Sequence, residues 1–259
     1  MDIDLAGRTA VVTGGSKGIG LAVVRGLAAS GARVIAGARS SSSEIEAIAS
    51  QKQVTFAEVD LADPAAAAEL IELAGNTVDI LVNNVGGARA RPGGFLSITD
   101  DDWTASMNVN LLAAVRATRA ALPGMLAARS GSIVMTCSVN ARLPDPAVLD
   151  YSAAKAGLAS FAKALSKEVG SRGVRVNTVS PGPVATDLWL GPAGVAATVS
   201  HATGAKPADV ESQAAGASVT GRFSRPEEVA DLILFLASDR SANITGADFT
   251  IDGGLVPTW

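Results

Sequence analysis

Three side chains in this sequence have the chemistry and spacing for proton transfer at a carbonyl or alcohol. Tyr151 and Lys155 stand four residues apart in Tyr151-Ser152-Ala153-Ala154-Lys155. On a helix that spacing puts both side chains on one face. A free phenol has a pKa near ~10, too high for ready proton exchange at neutral pH. A nearby ammonium favours the phenolate and brings the phenol into use as an acid or base. Tyr151 is the only tyrosine in the chain. Ser138, thirteen residues earlier, closes a β-branched run and is placed to hydrogen-bond a substrate oxygen and polarise it.

A second group of residues suits phosphate. Thr13-Gly14-Gly15-Ser16-Lys17-Gly18-Ile19-Gly20 follows an apolar run and opens an amphipathic one. Glycines there let backbone approach a pyrophosphate, and a helix N-terminus presents free N–H groups and partial positive charge. The spacing T-G-x-x-x-G-x-G differs from the G-x-G-x-x-G of the commonest dinucleotide fold, and a plain strand-to-helix turn could use the same glycines. The next apolar run ends Ile35-Ala36-Gly37-Ala38-Arg39-Ser40. It lacks the acid with which an NAD site holds the ribose hydroxyls about 20 residues on. Lys17 and Arg39 would suit a 2′-phosphate there, so NADP(H) is favoured over NAD(H); the alternative is two solvated surface cations. Asp60-Leu61 closes a third run, where it can meet an adenine edge, and Asn83-Asn84-Val85-Gly86 closes a fourth. Asn83 and Asn84 equally suit turn caps. Ligands of open parallel sheets bind beyond the carboxyl ends of the strands, so these segments are expected to share one cleft.

The elements that must position these residues follow from the alternation of hydrophobic period. Short β-branched runs lie at 9–13, 33–36, 54–59, 78–82, 132–136, 174–179 and 248–251, with helical patterns near 18–30, 43–50, 64–74, 100–128, 151–170 and 226–237. Strands alternating with helices predict an α/β fold: a Rossmann-like, doubly wound three-layer α/β/α sandwich around a seven-stranded parallel sheet. Asp63-Pro64 reads as a cap followed by the first helical position, and Pro226-Glu227-Glu228 puts acids in a first turn. Residues 187–221, rich in Ala, Gly, Ser, Thr and Pro, have weak periodicity. They are expected to form a long loop that orders on ligand binding, a substrate lid within a single 1–259 domain.

Composition narrows the function classes. Hydrophobic residues make up 48% and charged residues 18%, too apolar and too weakly charged for a disordered chain. A net charge of −4 with no basic block does not suit nucleic acid. One Cys excludes an internal disulfide, and one Cys with one His makes a zinc site unexpected. No window approaches the ~18 uninterrupted apolar residues of a spanning helix, so no membrane partner is expected. The start Met1-Asp2-Ile3-Asp4 carries acids where a signal peptide carries basic residues, so the expected location is cytoplasmic.

Taken together, Thr13–Gly20, Asn83–Gly86, Asn110, Ser138, Tyr151, Lys155, Pro181-Gly182 and the tail 246–254 resemble the short-chain dehydrogenase/reductase family across essentially the whole chain. The resemblance implies an NADP(H)-dependent enzyme that interconverts a ketone and a secondary alcohol, with Tyr151 as general acid/base. Lys155 would bind the nicotinamide ribose and lower the Tyr pKa, Ser138 would orient the substrate oxygen, and Asn110 would hold a water in a relay to Lys155. Asn108 is a rival by chemistry alone. Pro181 and Gly182 would flank the nicotinamide, with Val184 and Thr186 at its carboxamide. Val139, Asn140, Leu143, Val148, Leu188 and Trp189 would line a mostly apolar pocket for a small-molecule carbonyl or alcohol substrate. Cys137 is expected as core filler, His201 as a solvated lid residue, and Arg89 and Arg91 as surface charges or contacts to an anionic substrate group. The family also implies a homotetramer or homodimer, paired through 100–128 and 151–170 and through the last helix and strand; the tail Leu255-Val256-Pro257-Thr258-Trp259 ends in a Trp that could pack on a neighbouring subunit. Two other functions compete: a 3-oxoacyl-carrier-protein reductase, with Arg129 and Arg172 docking an acidic carrier, and a non-catalytic dinucleotide sensor.

Overall fold

A computed structural model of the chain describes residues 3–50, 52–75 and 77–258. The apolar runs become seven strands: β1 (Thr9–Thr13), β2 (Arg33–Ala38), β3 (Val54–Glu58), β4 (Ile80–Asn83), β5 (Gly131–Thr136), β6 (Val174–Pro181) and β7 (Asp248–Ile251). They form one parallel sheet in the order β3-β2-β1-β4-β5-β6-β7. Successive side chains of a strand point to opposite faces, and the core divides accordingly. Ala10, Val12, Ile80, Val82 and Val134 enter one apolar cluster. Val11, Leu81, Ile133 and Met135 enter the other.

Helices α1 (Gly18–Ala29), α2 (Ser43–Ala49) and α10 (Pro226–Ala237) feed the first cluster; α3 (Ala66–Glu72), α5 (Ala113–Ala128) and α6 (Leu149–Val169) feed the second. The layers are therefore α/β/α, as the alternating pattern predicts. Helix α3 begins two residues beyond the predicted start. Asp63 accepts a hydrogen bond from the Ala65 N–H, 2.9 Å, and so caps the turn that leads into the helix.

The single helix predicted over 100–128 is interrupted. Helix α4 (Asp100–Met107) passes into a π turn at Asn108–Leu112 before α5 resumes. Such turns insert an extra residue and re-aim side chains. By length and composition this run would also cross a bilayer, but here it is a layer of the sandwich.

The long loop predicted at 187–221 is mostly helical instead: α7 (Asp187–Leu190), α8 (Val195–Thr203) and α9 (Pro207–Gly216). Alanine is the best helix former even where it carries no periodic signal. The boundaries were readable, with Gly204 left-handed at the end of α8 and Pro207 at the first position of α9.

Candidate active site

The sheet order reverses direction between β1 and β4, the crevice where parallel sheets bind ligands. Here the glycine turn after β1 meets the end of β4. Gly14, at φ +69°, donates from its N–H to the Gly37 carbonyl at 2.7 Å. A Cβ on Gly20 would lie 2.0 Å from the Gly14 carbonyl oxygen, so only glycine lets α1 close against the turn. Thr13 Oγ1 accepts from the Asn84 and Val85 N–H groups at 2.9 and 3.0 Å. The Asn84 side chain donates to the Thr13 and Gly14 carbonyls at 3.2 Å and accepts from Thr136 Oγ1 at 3.3 Å. Asn84 therefore ties the turn to β4 and β5. Asn83 is buried and donates to Thr118 Oγ1 at 3.0 Å, behind the site. No side chain caps the first turn of α1 and no acid lies in it. Its donors therefore suit an anionic pyrophosphate.

One cleft of about 1110 Å³ collects nearly every residue singled out from the sequence. Gly14, Ser16, Lys17, Gly18, Ile19, Arg39, Asp60, Leu61, Asn84, Val85 and Gly86 line one side. Ser138, Asn140, Val148, Tyr151, Lys155, Pro181, Gly182, Val184, Thr186, Leu188 and Trp189 line the rest. Gly20 and Asn110 stand behind this wall. At the end of β2, Ala38, Arg39 and Ser40 line the cleft without an acid among them, and Arg25 of α1, which sequence reasoning passed over, joins them. Lys17 departs from expectation: its ammonium lies 3.8 Å from Asp187 of α7, so it is shared with the insertion.

Ser138 lies two residues beyond the end of β5, caps the short 3-10 turn Val139–Ala141 and accepts from the Asn140 N–H at 3.2 Å. Lys155 is buried, donates to the Thr136 carbonyl at 2.7 Å and sits 5.7 Å from the centre of the Tyr151 ring. Burial pushes the Tyr151 phenol up to about 12, against which a hydrogen bond from Ser138 acts and to which Cys137 adds. The lowering expected from Lys155 is not what governs the phenol in the protein alone; burial also pulls the Lys155 ammonium down. Cys137 is buried and donates from Sγ to the Lys155 carbonyl at 3.2 Å, with its thiol pushed up by burial.

The two asparagines of the π turn separate cleanly. Asn110 is buried, accepts from the Gly87 N–H at 2.9 Å and donates to the Gly87 and Ser106 carbonyls at 3.0 Å. Asn108 instead donates to the Ala62 carbonyl at 2.8 Å and accepts from Arg116 at 2.6 Å, away from the cleft.

The end of the cleft beyond Ser138 and Tyr151 is mostly apolar. Val139, Leu143, Val148, Leu188 and Trp189 line it, with the Trp189 ring 5.5 Å from the Phe223 ring and tilted 55° to it. The insertion adds residues that its composition concealed. Val195 and Val199 of α8, and Val210, Gln213 and Ala214 of α9 with Ala217 just past its end, reach the cleft at spacings of three and four, one face of each helix. His201 is exposed on α8.

The arginines fall elsewhere than expected. Arg91 is neither a surface charge nor a lining residue; it is held between Asp102 at 2.8 Å and Asp150 at 2.6 Å. Arg89 is largely exposed, 3.9 Å from Asp102. Arg129 and Arg172 lie near the amino ends of β5 and β6, the edge of the sheet opposite the cleft. Trp259 lies outside the described residues.

The family model for short chain dehydrogenases matches residues 8–191. A 3-oxoacyl-[acyl-carrier-protein] reductase of Chlamydia trachomatis is 36% identical over 97% of this chain and 98% of its own. The oxidoreductase UcpA of Escherichia coli is also 36% identical, over 96% of this chain and 95% of its own. Among solved structures, L-sorbose reductase from Gluconobacter frateurii, complexed with NADPH and L-sorbose, superposes with a TM-score of 0.89 at 31% identity over 100% of both chains.

Proposed function

The chain belongs to the short-chain dehydrogenase family and is an oxidoreductase of CH–OH or carbonyl groups; on that premise we propose that it uses NADP(H) to interconvert a ketone and a secondary alcohol, with Tyr151 as general acid/base. The observation that carries this is the meeting of Ser138, Tyr151 and Lys155 in the cleft that begins at the uncapped N-terminus of α1.

Gly14, Ser16, Gly18, Ile19 and Gly20 would form the pyrophosphate cradle, with Gly20 shaping it from behind. Arg39 would meet the 2′-phosphate, helped by Arg25, while Lys17 serves both the phosphate end and Asp187. Asp60, Leu61, Asn84, Val85 and Gly86 would border the adenosine and the bridge to the nicotinamide. Pro181, Gly182, Val184 and Thr186 would border the nicotinamide, and Lys155 its ribose. NADPH, when bound, supplies the hydride. Ser138 donates a hydrogen bond to the substrate oxygen. Tyr151 gives that oxygen a proton in reduction and takes one in oxidation. Asn110 secures Gly87, and the adjoining Gly86 lies between Asn110 and Lys155, where a Cβ would stand 2.9 Å from Asn110 Oδ1 and 3.2 Å from Lys155 Nζ.

The substrate end, formed by Val139, Asn140, Leu143, Val148, Leu188, Trp189 and the lining faces of α8 and α9, is aliphatic and aromatic with Asn140 and Gln213 among it; the charged groups nearest to it in the cleft are Asp145, Asp187 and Lys155, the last already assigned to the nicotinamide ribose. This supports an uncharged ketone with an aliphatic or cyclic body over a keto acid or sugar phosphate, with 187–221 as its lid. Screening NADPH oxidation over diketones, ketosteroids, keto esters, sugars, keto acids and acyl thioesters tests it; turnover confined to anionic substrates would overturn it. Tyr151→Phe should abolish turnover while NADPH still binds, and substantial residual kcat would remove the role given to Tyr151. The exposed Leu112 on the 100–128 run supports a homotetramer or homodimer through that face; sedimentation as a monomer at micromolar concentration would refute this.

A second reading, reduction of a carrier-bound 3-oxoacyl group, is favoured by Arg129 and Arg172. They are neighbours, since a Cβ on Gly173 would meet the Arg129 carbonyl at 2.1 Å. Both lie by the amino ends of β5 and β6, opposite this chain's own cleft, so a carrier docked there would have to serve a neighbouring copy. A carrier-bound substrate that outperforms the same acyl group on a small thiol, with the advantage lost in Arg129→Ala/Arg172→Ala, would establish this reading.

A further inference from the structure

Arg91 is the most heavily engaged charge near the site, yet it does not line the cleft. Its guanidinium forks onto the Asp150 carboxylate, Nη2 to Oδ2 at 2.6 Å and Nε to Oδ1 at 3.5 Å. Its third nitrogen, Nη1, donates to Asp102 Oδ1 at 2.8 Å. Its backbone N–H donates to the Ala147 carbonyl at 2.7 Å. The pair is desolvated, with the Arg91 side chain 10% and the Asp150 side chain 3% exposed. Asp102 is fixed in turn, accepting from the Thr99 N–H at 3.2 Å and from Thr99 Oγ1 at 3.0 Å in the box that caps α4.

Each partner belongs to an element that carries a site residue. Asp150 lies in the first turn of α6 and immediately precedes Tyr151, with Lys155 one turn on. Asp102 lies in the first turn of α4, the helix that runs into the π turn holding Asn110. Arg91 lies in the loop that begins with Gly86 and Gly87, and Gly87 is the partner of Asn110. Helix α6 has no side-chain cap of its own. The 3-10 turn that leads into it, Pro146–Val148, is capped by Asp145, which accepts from the Ala147 N–H at 2.8 Å; the Arg91 fork is the charged group that ties the first turn of α6 to α4 and the loop after β4. A planar fork sets direction as well as distance, which a point charge does not.

We propose that Arg91 is a positioning residue for Tyr151: through Asp150 and Asp102 it locks the first turn of α6 against α4 and the loop after β4, and so sets where the phenol stands relative to Ser138 and the substrate. This rests on the reading of Tyr151 as the acid/base. A displacement of about 1 Å in a reacting group can cost on the order of 100-fold in rate, so small shifts in α6 are enough to matter.

The test compares Arg91→Met, Arg91→Lys, Asp150→Asn and the double variant Arg91→Met/Asp150→Asn, with Arg89→Ala as the control for an exposed charge on the same Asp102. The readouts are kcat, KM for a ketone turned over by the wild type, and the NADPH dissociation constant measured by fluorescence. Arg91→Met should lower kcat by about 10-fold or more, with NADPH affinity held within about 2-fold, because only the phenol is displaced. Arg91→Lys should recover part of kcat. Asp150→Asn should lose kcat to a similar extent, and the double variant should be no worse than either single one, as for two residues acting through one contact. A wild-type kcat in an Arg91→Met protein that binds NADPH normally would overturn the proposal, as would losses that multiply in the double variant. If Arg91→Met does not fold, Arg91→Lys and Asp150→Asn decide, and unchanged kcat in both refutes the role. Tyr151→Phe separates the premise: substantial turnover there defeats the acid/base reading, whatever the Arg91 variants do.

Discussion

Tyr151 can be titrated without interference, because the chain contains no other tyrosine. Raising the pH of the free protein while following the near-ultraviolet absorbance of phenolate reports on this residue alone. Burial places its pKa at about 12, against about 10 for a solvated phenol. At pH 7 the ionised fraction then falls from about one in a thousand to about one in a hundred thousand. Ser138→Ala should raise the midpoint further, because the Ser138 hydrogen bond is what lowers it. The linkage has a definite sign. The unfolded chain releases this proton near 10 and the native chain near 12, so between those values the unfolded state binds fewer protons. Stability should therefore fall as pH rises through that window, by at most about 1.4 kcal/mol per pH unit from this group. Far-ultraviolet circular dichroism at each point separates native titration from unfolding. A midpoint near 10 in a protein still folded would refute the argument, since it would mean that solvent or the Lys155 ammonium, not burial, governs the phenol.

Other outcomes follow from single contacts. Replacing Ala38 by Asp together with Arg39→Leu should swing the ratio of kcat/KM from NADPH towards NADH; an unmoved ratio would remove Arg39 from the 2′-phosphate. Gly20→Ala places a methyl 2.0 Å from the Gly14 carbonyl oxygen and 2.6 Å from Asn84 Nδ2. It should cost about 3 kcal/mol in denaturant unfolding and weaken NADPH binding, and a neutral result would mean that the turn can open. The buried Cys137 thiol, pushed up by its surroundings, should resist alkylation at pH 8 in the native protein and react once unfolded. Fast native alkylation would show that β5 opens at the cleft.

Much of the scaffold was legible because its signals are local. The runs at 9–13 and 248–251 match β1 and β7 residue for residue. The other strands were found with their ends misjudged, and the reasons are neighbours in space. β2 continues to Ala38 because β3 pairs with it that far, and β6 continues to Pro181 because β7 does. The insertion was misread for a different reason. In α9 no residue is buried, so it carries no core-facing stripe; its small apolar residues face an open cleft, and only Gly204 and Pro207 marked its start.

What the sequence determined alone is the succession of strands and helices outside 187–221, the glycine turn, and the gathering of Ser138, Tyr151 and Lys155 in one cleft. These depend on backbone propensity, on periods of two and 3.6 residues, and on separations short enough to survive without knowledge of the fold. Only the tertiary structure decided the partners of charge. Arg91 reaches an aspartate 59 residues away, Lys17 reaches the insertion, and Arg129 and Arg172 lie by the amino ends of β5 and β6, opposite the cleft. It also placed Tyr151 where burial pushes the phenol up and the Ser138 hydrogen bond opposes it. Electrostatic energies depend on distance and on how far each group is removed from water, and neither quantity exists until the chain has folded.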